Sequence, residues 1–324
     1  MATVLNSAPD RQREIVDLRR LAVSDLDSLL QEECRAWQDE LEWDFDKSAE
    51  LVRRFVAMRA LSGSALVEDN QVSGYMYYVL EEDKGLIGDL YVREQLRTVE
   101  REDLLIASAL EGTMGIRAVT RIESQLMMLR HAPSRPVPRA DCLTCFERNF
   151  MRIDLREAAL GRGTVRRPMY VEKWSDHYHD AAARLIAAAY KGHIDSRIND
   201  QYRTSEGARR FLQNIVKFPG CGEFYRPASL VAFEGLTGQL CGISLTSLVR
   251  PETGHVTQIC VSPGVRGTGI GHELLRQSLT ILREMGCKSA SLTVTAANED
   301  AVALYERVGF ETIRRFSAFV WEGF

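Results

Sequence analysis

The chain has little surplus charge of either sign. Its 324 residues hold 41 Lys and Arg against 45 Asp and Glu, a net charge of −4, and its isoelectric point lies near 6.0. Such a balance gives no support for a general nucleic-acid or membrane-surface binder. Long apolar runs are missing too: none reaches the ~18 residues of a transmembrane helix. The opening stretch from Met1 to Asp10 lacks the basic start and apolar core of a secretory signal. Cysteine is sparse and odd in number, seven in all. That argues against a disulfide framework and for a reducing, cytoplasmic setting. Cys142 and Cys145 form the sole Cys-x-x-Cys pair. With no second ligand pair nearby in the chain, they predict two half-buried cysteines on a helix, and no metal is expected. What remains, 45% hydrophobic and 27% charged residues, is an ordinary globular composition.

The most informative segment that is present runs Val265-Arg266-Gly267-Thr268-Gly269-Ile270-Gly271-His272, directly after the apolar run Ile259-Cys260-Val261. A strand, a glycine loop and a helix in that order can hold a pyrophosphate with main-chain N–H groups. The helix that follows places its N-terminal dipole behind the same anion. Its stripe is Leu274, Leu275, Ser278, Leu279, Leu282 and Met285, with Gly286 placed to stop it. A P-loop is excluded because no Lys-Ser or Lys-Thr follows Gly271. A dinucleotide fingerprint is excluded by the spacing of Gly267, Gly269 and Gly271 and by the short chain left for a doubly wound sheet.

The pattern that fits is Arg/Gln-x-x-Gly-x-Gly/Ala, met by Arg266, Gly269 and Gly271. A second block follows the strand Leu292-Thr293-Val294: Asn298, then a helix carrying Tyr305 and closed by Gly309-Phe310. In these two blocks the sequence resembles the GNAT superfamily of acetyl-CoA-dependent N-acyltransferases. The resemblance is firm over about residues 240–322 and loose over 169–240.

Internal comparison suggests the unit occurs twice. Ser73-Gly74-Tyr75 and Gly85 to Val92 mirror Cys241-Gly242-Ile243 and Gly254 to Val261, and Phe146 to Phe150 echoes Tyr305 to Phe310. The expected fold class is therefore α/β with mixed sheets: two tandem GNAT-like domains, each a central sheet flanked by helices, over 1–160 and 161–324. The expected boundary lies between Leu155 and Pro168, and Pro133 to Pro138 predicts a turning segment. The first copy has Arg97-Thr98-Val99-Glu100-Arg101-Glu102 where the second has its glycine loop. Two carboxylates and no glycine would repel and block a pyrophosphate. Phe146 in the place of Tyr305 would remove a hydroxyl as well. The first copy is thus read as degenerate, and the arrangement resembles that of the mycothiol synthases, where one of two such domains is active.

The resemblance implies acetyl-CoA as co-substrate and an amine-bearing acceptor, with no metal, nucleic acid or membrane. Ile259, Cys260 and Val261 would lie beside the pantetheine arm, and Arg266, Gly267, Thr268, Gly269, Ile270, Gly271 and His272 would cradle the pyrophosphate. Tyr305 falls where the family places a proton donor for the coenzyme A thiolate; otherwise it is a packing tyrosine. Asn298 would contact the pantetheine, cap its helix, or do both. His255 stands near the position where some members carry a catalytic Glu, so it is a candidate base or a satisfied strand residue. The acceptor segment would be Tyr190 to Arg203, with Asp195, Asp200 and Tyr202 as substrate contacts, unless it is only a solvated loop; Trp43-Asp44-Phe45 is its rough counterpart in the first half. The functional expectation is an N-acetyltransferase working by direct amine attack. The alternatives are an acyltransferase for longer acyl-CoA and a non-catalytic acetyl-CoA sensor. Monomer and homodimer both stay open.

Overall fold

The computed structural model describes residues 13–130, 135–218 and 220–324. The Met1–Asp10 stretch and the first part of the Pro133–Pro138 segment lie outside them. Two compact units are present: Met1–Ala36, Ala49–Thr144 and Phe319–Phe324 in one, and Trp37–Ser48 with Cys145–Ala318 in the other.

In the first unit β1 (Arg13–Asp17), β2 (Ser62–Glu68), β3 (Gln71–Glu81), β4 (Lys84–Val92) and β5 (Arg121–Leu126) lie side by side in chain order. All neighbours are antiparallel except β4 and β5. Helices α1 (Val23–Leu41), α2 (Asp46–Ala57) and α3 (Val99–Met114) accompany them, and the last turn of α1 and the start of α2 are counted in the second unit. The first unit's core gathers Leu105, Ile106, Ala109 and Leu110 of α3 against Met76, Ile87 and Leu90. Phe319 and Trp321 from the chain's C-terminus complete it. Burying a side chain of this size contributes about 1.5–3 kcal/mol.

The second unit orders its strands β6 (Leu143–Asp154), β12 (Ser289–Thr295), β11 (Thr253–Val261), β10 (Leu240–Arg250), β9 (Leu230–Glu234) and β7 (Met169–Lys173), with the short β8 (Glu223–Phe224) beside β10. Helices α7 (Ile270–Glu284) and α8 (Glu299–Val308) cover one face: Leu275, Leu279 and Leu282 pack on Met151, Leu292 and Val294. Helices α4 (His179–Ala189) and α6 (Ser205–Lys217) pack on Ile243 and Leu245, and the one-turn α5 (Asp195–Ile198) joins them. Strand β13 (Glu311–Glu322) ends the chain. The stripe read from the sequence sets the buried face of α7 as far as Leu282; Met285 falls at the helix end and is exposed, and Gly286 follows at φ +95°.

Two expectations fail. Phe146 to Phe150 is not a counterpart of the Tyr305 helix: it lies within β6, whose residues Arg148 to Asp154 pair antiparallel with Thr295 to Ser289. Asn149, Phe150 and Met151 are all buried, as suits a strand covered on both faces, and no helix lies among the described residues between β5 and β6 except one 3-10 turn. For the same reason Cys142 and Cys145 are not on an α-helix. Cys142 ends the 3-10 turn Ala140–Cys142 and Cys145 sits exposed in β6.

Candidate active site in the second unit

The site begins with a strand that loses its neighbour. Parallel pairing of β11 with β12 runs from Thr253↔Ser289 to Val256↔Leu292 and stops, whereas β10 accompanies β11 to Val261. At that point the β10–β11 register shifts between Leu245 and Thr246, a bulge that re-aims the strand. The stretch from Thr257 to Val261 therefore has a free edge on the β12 side. Ile259, Cys260 and Val261 occupy it.

The free edge leads into the glycine loop. Gly267 and Gly269 have φ of +73° and +91°, a region that strains any L-residue. A Cβ on Gly269 would sit 2.3 Å from the Thr164 carbonyl oxygen, so the loop and the segment before β7 meet main chain to main chain within the second unit. Arg166 N donates to Thr268 O at 2.8 Å in the same contact. Thr268 Oγ1 donates to Val265 O at 2.6 Å, fixing the loop's own turn. Ile270 is fully buried and anchors the first turn of α7. Gly271 carries only Val261 beside it, and His272 packs against Gly163. No side chain caps α7, so its leading N–H groups are left for an external acceptor. The Arg266 guanidinium turns away from the loop and donates to the Ala189 carbonyl at the end of α4.

Two faces of the sheet meet at the gap. From the α7/α8 face comes Tyr305, 7% exposed, its ring edge-on to Phe310 with centroids 6.0 Å apart. Burial raises its pKa above the ordinary tyrosine value, and the Asp195 carboxylate and Cys260 push the same way while Arg148 opposes them. The hydroxyl stays protonated and makes no hydrogen bond among the described residues. Asn298 caps α8, accepting from Ala301 N at 3.4 Å. Burial also pushes the Cys260 thiol up to about 12, so no thiolate is present at neutral pH.

From the α4/α6 face come Tyr190 and Tyr202, stacked with centroids 4.4 Å apart. They clamp Gln258 of β11: Gln258 Nε2 donates to Tyr190 Oη at 2.9 Å, and Tyr202 Oη donates to Gln258 Oε1 at 3.2 Å. Asp195 opens α5 beside them. Its Oδ1 accepts from Arg148 Nη1 at 3.5 Å and from Thr295 Oγ1, and its Oδ2 lies 3.6 Å from His193 Nδ1. Arg148 also donates to Thr295 Oγ1 and Thr293 Oγ1, each at 3.1 Å. Asp200 is half-buried in the neighbouring 3-10 turn, Asp200–Arg203.

His255 is elsewhere. It lies in the closed part of the β11–β12 pair, opposite Ser291, whose Oγ is 2.9 Å from its Nδ1. Trp43 stands edge-on to its ring at 4.9 Å and Phe150 stacks at 6.2 Å. It is 4% exposed, and desolvation drives its pKa down to about 3. Trp43 and Phe45 thus belong to the second unit, Trp43 against His255 and Phe45 stacked on Trp37; they are not an acceptor segment of the first. Sequence reasoning passed over Arg148 and Gln258. The parity of β11 could have marked Gln258, a polar residue in an apolar strand; Arg148 was hidden by the helical reading of its segment.

Residues 197–310 match the family model described as Acetyltransferase (GNAT) family. Over this segment the chain is similar to the GNAT acetyltransferases. GNAT proteins take an acyl group from an acyl-CoA donor and pass it to an acceptor. The mycothiol acetyltransferase of Propionibacterium freudenreichii is 28% identical over 142 residues, covering 43% of this chain and 43% of that protein. The chain thus spans less than half the length of that curated relative. Among solved structures, a GCN5-related N-acetyltransferase from Sphaerobacter thermophilus aligns with a TM-score of 0.69 at 17% identity, covering 98% of this chain and 97% of that one. A tandem GNAT protein from the clavulanic acid biosynthesis pathway aligns with a TM-score of 0.60 at 18% identity, covering 96% and 98%. The mixed α/β fold of tandem GNAT proteins therefore extends over nearly the whole chain. Among the described residues no helix is long and apolar enough to cross a membrane.

Proposed function

We propose that the second unit is an N-acetyltransferase that moves an acetyl group from acetyl-CoA to an amine, and that the first unit binds no donor. The observation that carries this reading is the free edge of β11, Thr257 to Val261, running straight into an uncapped helix through two glycines of positive φ. That edge can pair with the amide groups of a pantetheine arm, and the N–H groups from Gly267 to His272 suit a pyrophosphate. A main-chain N–H of the free edge polarises the thioester carbonyl. Once the ammonium has given its extra proton to water, the neutral amine nitrogen attacks the carbonyl carbon, the C–S bond breaks, and the sulfur takes a proton from Tyr305, whose raised pKa keeps that proton in place at neutral pH; the proton that the nitrogen then sheds passes through water and restores the Tyr305 hydroxyl.

His255 has no part in this scheme. A buried imidazole held on Ser291 and driven down to about 3 cannot collect a proton from an entering amine near neutrality. Asp195 faces the gap and is the carboxylate positioned to hold the ammonium before attack. The buried, protonated Cys260 gives no support for a covalent acyl-enzyme. The test is release of free thiol from acetyl-CoA across a panel of amines. Amine-dependent release that survives His255→Gln and falls with Tyr305→Phe supports the scheme; donor binding with no transfer to any amine favours the sensor.

A further inference from the structure

A coenzyme A donor carries negative charge in two places, its pyrophosphate and the phosphate on the 3′ position of its ribose. The arginine of the glycine loop, Arg266, is committed to the Ala189 carbonyl. Other cations stand beside the loop, on the segment before β7. That segment is fastened to the loop by close contacts: Gly163 lies against His272, the Thr164 carbonyl against Gly269, and Arg166 N donates to Thr268 O. Between the segment, β7 and the first two turns of α7 lies a cavity of about 510 Å³. Its volume falls in the range of small-ligand sites.

Arg162 and Arg167 both line this cavity. Arg162 is exposed and makes no hydrogen bond or ion pair among the described residues. Arg167 has one surface partner, Glu234, at 2.9 Å from Nη1, and its other donors stay open. One carboxylate, Glu273, belongs to the wall, but its charge is already met. Arg276 donates to both of its oxygens, at 2.8 and 2.6 Å, and Gln277 Nε2 adds a bond at 2.8 Å. Two guanidinium forks at one cavity suit a phosphomonoester dianion. The remaining wall is apolar: Val165, Met169 and Val171, packed on the cluster of Ile270 and Leu274. A flat ring fits against such a wall, and Gln277 Oε1 is left to accept from an amino group on it.

We propose that this cavity is a phosphomonoester site, filled by the 3′-phosphate of the bound donor between Arg162 and Arg167, with the purine against the apolar wall. One ribose carries the 3′-phosphate, the purine and the pyrophosphate, so a cavity bordering the pyrophosphate loop is within reach of all three. Arg162 and Arg167 thereby set the preference for a 3′-phosphorylated donor. The inference rests on the acetyl-CoA reading above and adds the residues that read the donor's far end. A free phosphate ion has the same chemistry, and the experiment separates the two.

The test titrates the intact chain by calorimetry with acetyl-CoA and with acetyl-3′-dephospho-CoA. The expected result is tighter binding of the phosphorylated donor by at least about 10-fold. Arg162→Gln, and then Arg162→Gln combined with Arg167→Gln, should bring that ratio stepwise toward one by weakening acetyl-CoA alone. Arg162→Lys should keep part of it. Variants that weaken both donors together and preserve the ratio overturn the inference, because the arginines then act only through the fold. Equal binding of the two donors by the wild-type chain also overturns it and leaves the donor reading standing. A third titration adds inorganic phosphate to the chain already saturated with acetyl-CoA. Phosphate binding there that is lost with Arg162→Gln gives the cavity to a separate ion and overturns the assignment to the donor. Binding of neither donor overturns both readings.

Discussion

The two units share the register of their central strands and differ in how the polar groups around them are satisfied. In each, a glycine pairs with the last residue of the splayed strand: Gly74 with Val92, Gly242 with Val261. The antiparallel register shifts at the corresponding place, between Tyr77 and Tyr78 or between Leu245 and Thr246. Parallel pairing ends at Ile87↔Ser124 in one and Val256↔Leu292 in the other. Beyond that point the chemistry parts. The first unit closes its bulge with a ring, since a Cβ on Gly88 would lie 2.1 Å from Tyr77. Asp89, Glu33 and Tyr75 form a buried hydrogen-bonded group there, with Tyr75 Oη donating to Glu33 at 2.7 Å. Thr98 caps α3 through Arg101 N, where α7 has no cap. Glu102, with no exposure, pairs with Arg135 Nη1 at 2.6 Å and lies 3.9 Å from Arg97 Nε. The first unit supplies its own anion and cap; on the proposed reading, the second leaves both roles to the donor. A gap in a sheet becomes a site only where the fold withholds internal partners.

The sharpest way to break this contrast is to give the second unit what the first has. Gly269→Glu puts a side chain at φ +91° against the Thr164 carbonyl and a carboxylate at the anion site. It is expected to weaken acetyl-CoA binding by more than about 100-fold by calorimetry, since strain and charge each cost on the order of 1–3 kcal/mol. Removing the proton donor comes next. Tyr305→Phe should lower kcat by about 100-fold and leave the dissociation constant of acetyl-CoA unchanged. A loss of affinity instead would make Tyr305 a packing residue. In the first unit, Glu102→Gln removes one of the two carboxylates on Arg135 and leaves Asp103 in place, so it should cost about 1 kcal/mol in a urea melt, with donor stoichiometry unaltered.

An effect of similar size concerns pH. Burial raises Asp89 from the ordinary aspartate value to about 6, so the folded state favours its neutral form. The stability it contributes is fully present below about pH 4 and is lost as pH rises through 6. Asp89→Asn should therefore stabilise the chain by about 1–3 kcal/mol near pH 8 and have little effect near pH 4. His255 has the opposite sign: neutral in the fold, its contribution is present above about pH 6.5 and lost as pH falls toward 3. The smallest change expected is in activity: His255→Gln should shift kcat/KM by less than about 3-fold near pH 8.

Much of the second unit was legible because its signals are local. Glycines that need positive φ, an apolar stripe closed by Gly286 and an Asn298 cap are each fixed within a few residues. The repeat was legible for β3 and β4 because their glycines mark close approaches to a helix. Long-range pairing was not. Phe146 to Phe150 resembles the end of α8 in sequence, yet its partner β12 lies far along the chain and decides that it is a strand. That error hid Arg148, and only assembly places it on Asp195, Thr293 and Thr295. His255 failed for a related reason: its position suggested a base, but Trp43, distant in sequence, seals it.

The central claim is that one unit holds a donor and the other replaces it with its own side chains. Calorimetric titration of the whole chain with acetyl-CoA tests this most directly. The account predicts one site per chain, abolished by Gly269→Glu and indifferent to Glu102→Gln. Two sites per chain, or one site that survives Gly269→Glu, would contradict it.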